Sequence, residues 1–330
     1  MTLQEPSLTY TRTEAPLAAA EAGELARFWE TIFQTSYENF REVLEGAEQA
    51  VNRNLVYLAR EGSKLVGTCQ LTVGCSNVRL GGLGEVATAV SHQRCGIGRT
   101  LSSQARDEFL ELGGEALFLG TVNPLAARLY QDLGWRKFDG ANVMCLLAGG
   151  RDPAEFLFEY FPDQGQVEVS VGRADHRLAM IPLVIAPHAW RMLDANLALF
   201  STRYMDQDSC MGLFPRYQAL RDAGVGEWFA ATTETGCVVG LATARKRGSE
   251  VVQVDGFCQA GFAGVQGELI DRCLHWARDH QAGRCEVLIA GCDQQKMQIF
   301  DLLGFSQTRT GPGIEMGDNP QTTLWRSRKF

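Results

Sequence analysis

Long apolar runs are missing from this 330-residue chain. No stretch approaches the ~18 consecutive apolar residues that a membrane-spanning helix needs. A basic excess is missing as well: 31 Lys and Arg stand against 39 Asp and Glu, leaving a net charge of −8. That balance argues against a sequence-independent grip on nucleic-acid phosphates, and no nucleic-acid partner is expected. Ten cysteines are present, yet no two form a C-x-x-C pair. A zinc ribbon or disulfide framework is therefore not expected, and reduced thiols in a cytoplasmic protein are. Histidine is scarce, at five residues. His275 and His280 are five apart on a helical stretch, a spacing that does not put two ligands on one face. No metal is expected. Met1 to Ala22 is polar and acidic without an apolar core, unlike a secretory signal.

What the chain does have is length for about two domains, and one glycine-bearing turn in a telling place. Gln93-Arg94-Cys95-Gly96-Ile97-Gly98 follows a run of strand character, Glu85-Val86-Ala87-Thr88-Ala89-Val90, and precedes a helical pattern that begins near Arg99. A helix start offers orphan N–H donors and a partial positive charge, so an anion is stabilised there. Glycine at 96 and 98 lets phosphate oxygens approach the backbone. Gln93, Arg94 and Arg99 can add side-chain donors. Cys95 in this turn is either a small filler or a reactive thiol, and His92 beside it reads as a surface turn residue.

An amphipathic helix, Ser102 to Leu112, and a strand, Glu115 to Thr121, come next. Then follows Asn123-Pro124-Leu125-Ala126-Ala127-Arg128-Leu129-Tyr130-Gln131-Asp132-Leu133-Gly134-Trp135. Asn123 suits a helix cap, Pro124 the first helical position and Gly134 the stop.

The two motifs together resemble the GNAT superfamily of acyl-CoA-dependent N-acyltransferases over about residues 50 to 147. Gln93, Gly96 and Gly98 match its Gln/Arg-x-x-Gly-x-Gly/Ala loop. Asn123, Ala126, Leu129, Tyr130, Leu133, Gly134 and Trp135 match its second helix. Val90 stands where many relatives have proline. The resemblance implies an α/β (α+β) fold: a mixed, mostly antiparallel twisted sheet flanked by helices. It also implies acetyl-CoA as co-substrate, held in a slot where the fourth and fifth strands part. The cofactor-binding set it implies is Thr88, Ala89, Val90, Gln93, Arg94, Cys95, Gly96, Ile97, Gly98, Arg99, Thr100, Asn123, Ala126 and Tyr130. A backbone N–H from Thr88 to Val90 would polarise the thioester carbonyl. Tyr130 would protonate the departing thiolate, since a phenol is neutral near pH 7; read from the residues alone it could equally pack on the helix face. Glu85, at the start of the fourth strand, is the carboxylate best placed as a base, or else a solvated strand-end residue.

The same unit recurs. Leu55 to Arg60, Glu61-Gly62-Ser63 and Lys64 to Leu71 read as a hairpin, and Trp228 to Thr232, Glu234-Thr235-Gly236 and Cys237 to Ala244 repeat it. Phe300-Asp301-Leu302-Leu303-Gly304-Phe305 repeats Tyr130 to Trp135. The offsets, 170 residues at this helix and 173 at the hairpin, point to two tandem GNAT-like domains. The expected division is 1–150, a connection over 151–166, and 167–330. Phe300 replaces Tyr130, Asp293 replaces Asn123, and Val254 to Gly267 lacks the loop pattern, so the second copy reads as a degenerate scaffold. The aromatic-rich pieces Arg27 to Phe40 and Phe200 to Tyr217 precede the hairpins, where the resemblance places the acceptor side; read from the residues they are core helices by default.

These readings converge on transfer of an acetyl group from acetyl-CoA to a primary amine of a small molecule. A protein or peptide amine, and a non-catalytic acyl-CoA-binding regulator, are the alternatives. The chain would be a monomer that mimics a dimer, or a homodimer.

Overall fold

The computed structural model describes residues 8–162, 165–208, 210–316 and 319–330. Residues 1–7 of the polar start, and 163 and 164 of the connection, lie outside the described residues. The chain divides into two compact units. One runs to Lys137 and resumes over Met144–Pro153; the other comprises Phe138–Val143 and Ala154–Phe330. Among the described residues no helix is long and apolar enough to cross a membrane, and no group of three or more His, Cys, Asp or Glu could hold a metal.

In the first unit a seven-stranded sheet has the order β1-β2-β3-β4-β5-β7-β6. Its strands are β1 (Leu8–Glu14), β2 (Asn52–Glu61), β3 (Lys64–Gly74), β4 (Leu80–Thr88), β5 (Ala116–Gly120), β6 (Arg136–Lys137) and β7 (Val143–Leu147). The hairpin read from Leu55 to Leu71 is β2–β3, turning at Gly62 with φ 59°. Alternation along β2 explains why both faces are covered. Val56 and Leu58 pack with α1 (Ala19–Phe33) and α2 (Glu38–Leu44) through Leu25, Trp29 and Leu44. Leu55, Tyr57 and Ala59 pack on the other face with Ile97, Leu101, Ala105 and Phe109 of α3 (Ile97–Glu111) and with Tyr130 of α4 (Pro124–Asp132). Each such fully buried side chain stabilises the fold by about 1.5–3 kcal/mol.

β4 begins five residues before Glu85, where the strand pattern was read. Glycine is a poor strand former, which hides Leu80-Gly81-Gly82-Leu83-Gly84 from a propensity argument. Close packing requires it: a Cβ at Gly81 would lie 2.6 Å from the Phe109 ring and 2.9 Å from Leu117. Glu85 is consequently not at a strand start. It sits inside β4 at a register shift against β3, with φ 47°, a β-bulge geometry.

The second unit repeats this plan. It has α5 (Pro153–Tyr160), β8 (Val167–Val171), α6 (His176–Ile185), β9 (Met192–Asp194), β10 (Leu199–Phe200) and α7 (Leu213–Asp222). There follow β11 (Gly226–Thr233), β12 (Val238–Lys246), β13 (Val251–Cys258), α8 (Gln266–Asp279), β14 (Arg284–Ala290) and α9 (Gln294–Leu302). The chain closes with β15 (Ser306–Thr310), β16 (Ile314–Met316), β17 (Asn319–Gln321) and β18 (Thr323–Lys329). The large sheet runs β15-β18-β14-β13-β12-β11-β8, strand for strand the order of the first. Both sheets are mixed, with one parallel pair described in each, β4–β5 and β13–β14. The stretch read as a connection contains α5, with Phe156 and Tyr160 buried and Phe158 89% exposed.

Candidate active site

The parallel pair of the first unit is short. β4 and β5 are in register only from Leu80 opposite Ala116 to Gly82 opposite Phe118, and beyond that they part. The open part of β4 is half-buried at Gly84, Glu85, Val86 and Thr88. On the β3 side, the Ala89 N–H donates to the Val66 carbonyl (2.9 Å). Successive strand residues point their backbone groups to opposite edges, so the Thr88 N–H and carbonyl face the opening. The Gln93 amide reaches that carbonyl at 3.5 Å. Of the three donors expected from Thr88, Ala89 and Val90, Ala89 is therefore occupied and Thr88 is turned to the slot.

The glycine turn follows at once. Val90–His92 make one 3₁₀ turn, Arg94 has φ 65° and Gly96 φ 81°, and α3 starts at Ile97. The helix start has no side-chain cap, so the first-turn N–H groups, with the helix's partial positive charge behind them, are presented outward. Gln93, Arg94, Cys95, Gly96 and Arg99 are exposed, Gly98 and Thr100 half-buried, and Ile97 buried. Ile97 anchors the turn to the sheet: a Cβ on Gly67 of β3 would lie 2.4 Å from its Cγ2. At Gly98 a Cβ would meet only ordinary contacts, the nearest being Thr88 Oγ1 at 3.8 Å. Arg99 is paired with Asp132 of α4 (2.6 Å), both half exposed, and so is held beside the turn rather than over it.

Asn123 caps α4 as expected, its Oδ1 accepting from the N–H groups of Leu125 (2.9 Å) and Ala126 (3.4 Å). Its carbonyl oxygen acts on the helix itself. Ala126 is half-buried against the same core as Tyr130. Tyr130 is 6% exposed and packs edge-on to Trp135, ring centroids 6.0 Å apart. Burial pushes its phenol up from the ordinary value, helped by the neighbouring Cys69. It stays protonated at any pH near neutrality.

Glu85 reaches both faces of the sheet electrostatically, since its charge bears on Tyr37 on the α1 side and on Cys69 on the α3 side. Its backbone is held by a bonded chain that the sequence reading missed. The buried Trp29 Nε1 donates to Thr68 Oγ1 (2.8 Å), and Thr68 Oγ1 donates to the Glu85 carbonyl (2.7 Å). The only sequence signal was the aromatic-rich helix around Trp29, which carries no information about a bulge more than fifty residues away.

The second unit parts in the same way: β13 and β14 pair from Val251 opposite Arg284 to Gln253 opposite Glu286 only. Here the chain itself crosses the opening. Asp293 accepts from the N–H groups of Arg191 (2.9 Å) and Met192 (3.1 Å). The Lys296 ammonium donates to the carbonyls of Met192 and Leu193, each at 3.0 Å, and pairs with Asp255 at 2.5 Å. Ala195 donates to Asp255 and Asn196 to the Gln253 carbonyl. Lys296 and Asp255 stand 170 residues after Ala126 and Glu85, so a buried ion pair occupies what is an open edge in the first unit. Phe300 repeats the packing of Tyr130, edge-on to Phe305 at 5.2 Å.

A family model described as an acetyltransferase (GNAT) domain matches residues 52–137, the stretch that contains β2 to β6 and the opening. This segment is a GNAT acetyltransferase domain. No curated protein matches the chain. Among solved structures, the chain is similar to yncA of Salmonella typhimurium, described as an acetyltransferase with its cofactor acetyl-CoA. It is 15% identical, covers 50% of this chain and 94% of that one, and has a TM-score of 0.39. A GNAT-family acetyltransferase of Streptococcus pneumoniae is 15% identical over 50% of this chain and 100% of its own, TM-score 0.38. Ribosomal-protein-alanine N-acetyltransferase of Brucella melitensis is 12% identical over 49% and 99%, TM-score 0.39.

Proposed function

We propose that the GNAT domain transfers an acetyl group from acetyl-CoA to the primary amine of a small molecule, by direct attack within a ternary complex, and that the second unit binds no CoA. The observation that carries this reading is the parted β4–β5 edge lying beside an uncapped helix start. An open strand edge can hydrogen-bond the amides of a pantetheine arm as it would an added strand. The α3 start, with Gly96 and Gly98 baring its backbone, suits the diphosphate at the other end of the same ligand. The Thr88 N–H can then polarise the thioester oxygen.

In the chemical step the neutral amine nitrogen attacks the thioester carbon, a C–N bond forms and the C–S bond breaks. The departing thiolate takes the Tyr130 phenol proton, and Glu85 takes the proton the amine gives up. Burial keeps the Tyr130 phenol protonated near neutrality, the form from which a proton can be given. Segment 191–196 and Lys296, lying across the corresponding opening of the second unit, support restricting the chemistry to the first.

Isothermal titration calorimetry with CoA tests the reading. One CoA per chain is expected. Gly98→Val should abolish binding by filling the phosphate approach while the melting temperature holds, because the protein has room for the Cβ. Two equivalent sites, or unaltered affinity in the variant, would contradict it. An acceptor screen by thiol release then separates small amines from peptide amines.

A further inference from the structure

Aromatic side chains of the first unit run from the surface at Phe33 to the buried Trp29, which is bonded through Thr68 to the Glu85 backbone. Phe33, in the last turn of α1, is 39% exposed. Its ring lies 6.0 Å from that of Tyr37, which lies 5.4 Å from Trp29 and 6.2 Å from Phe40. Trp29 is fully buried and bonded through Thr68 to the Glu85 carbonyl. Core packing accounts for Trp29, but Phe33 and Tyr37 remain partly open. Tyr37 is also fixed in place: its N–H donates to Glu30 Oε1 (3.0 Å), just after Gln34 has turned the chain in the left-handed conformation, φ 56°. Burial pushes the Tyr37 phenol up, and the Glu85 charge adds to it. Two partly open rings, Phe33 and Tyr37, thus stand over a buried aromatic core within the electrostatic reach of Glu85.

We propose that the acceptor is an arylalkyl primary amine, its ring packed against Phe33 and Tyr37 and its nitrogen delivered to Glu85. This rests on the reading of the first unit as the acetyl-transferring one. Such an amine arrives as a cation, which the Glu85 charge attracts, and carries a flat apolar surface that tilts or stacks on aromatic rings. Amino sugars and polyamines present hydroxyls and further ammonium groups, which Phe33 cannot hydrogen-bond and would desolvate. Glu85 takes the ammonium proton and passes it to solvent, the freed lone pair attacks the thioester carbon, and the carboxylate is then free to take the second proton as above.

The test is steady-state thiol release from acetyl-CoA with phenethylamine, tyramine, tryptamine, glucosamine and spermidine. The arylalkylamines should show the highest kcat/KM. Phe33→Ala and Tyr37→Ala should each raise their KM about tenfold, leave kcat within about twofold and not shift the KM for acetyl-CoA. Tyr37→Phe, which keeps the ring, should restore KM. Phe33 is exposed enough that its truncation leaves the fold intact. Turnover of glucosamine or spermidine with the arylalkylamines inert, or KM values unmoved by the two alanine variants, overturns the acceptor class while acetyl transfer stands. Absence of thiol release with every amine overturns both.

Discussion

Tyr130 and Glu85 occupy opposite kinds of place, and the acid and base roles proposed for them follow from that. Tyr130 is enclosed by core, and taking its proton away would leave a phenolate in an apolar setting. It is suited to give a proton only at the moment a thiolate forms beside it. Glu85 sits half-exposed on a strained bulge whose carbonyl is held by Thr68. Tyr130→Phe removes the proton and nothing else, because the ring still packs on Trp135. Turnover should fall about 10²-fold, with CoA affinity unchanged by calorimetry. Turnover at the parent level, with chemistry rate-limiting, would show that the thiolate takes its proton from water.

At the scale of elements, the two parted strand pairs show how one architecture can be open or closed. In the second unit the closure is held by the Lys296–Asp255 pair, both fully buried, with Asp194 nearby. Burial pushes the Asp194 and Asp255 carboxyls up, and the Lys296 ammonium opposes that. Lys296→Met leaves Asp255 buried without its cation and should cost about 3–5 kcal/mol in urea unfolding. Combining it with Asp255→Leu should recover only the part due to the unpaired carboxylate, since the Ala195 N–H and the Met192 and Leu193 carbonyls still lose their partners. A single variant as stable as the parent would mean that the pair contributes nothing to closing the opening.

The same elements show what a sequence can reveal. Helix α4 was legible because its start and stop depend on local chemistry, Asn123, Pro124 and Gly134, which acts within a turn. The repeat was legible because hairpins and helix ends recur in order. The first half of β4 was not, because its glycines are there for Phe109 and Leu117, which lie on other elements. Nor was the plug over β13, since nothing in Arg191 to Asn196 announces that Lys296, about a hundred residues on, will bond its carbonyls.

The whole molecule carries a pH response set by buried histidines. Burial pushes His188 down to about 4, despite its bond to the Leu183 carbonyl, and lowers His176 as well. Unfolded, each imidazole titrates near 6.5. Both are thus held neutral in the fold, and their contribution is complete above about pH 6.5 and lost as pH falls towards 4, because the unfolded chain then binds more protons. For His188 the full span amounts to about 3 kcal/mol. Paired carboxylates such as Glu14 and Glu115 have lowered pKa values, so their loss belongs to more acidic solution. Urea midpoints should therefore decline between about pH 6.5 and 5, and His188→Phe should flatten that decline. A midpoint constant through this window would contradict the assignment.

Gly67 lies nearly thirty residues before the phosphate turn and belongs to no motif, yet it fixes the height at which that turn rides. Ile97 rests in the space where a β-carbon at 67 would be, and Gly240 gives Leu269 of α8 the same seat, where a Cβ would lie only 2.7 Å from the leucine side chain. One methyl group added there would act as a shim, lifting the start of α3 away from β4. The gap between the anion-binding N–H groups and the Thr88 donor would widen, and a ligand of fixed length could no longer reach both ends. The dimension of the cofactor is in this sense written into the sheet as a missing atom, far from any residue that would touch it.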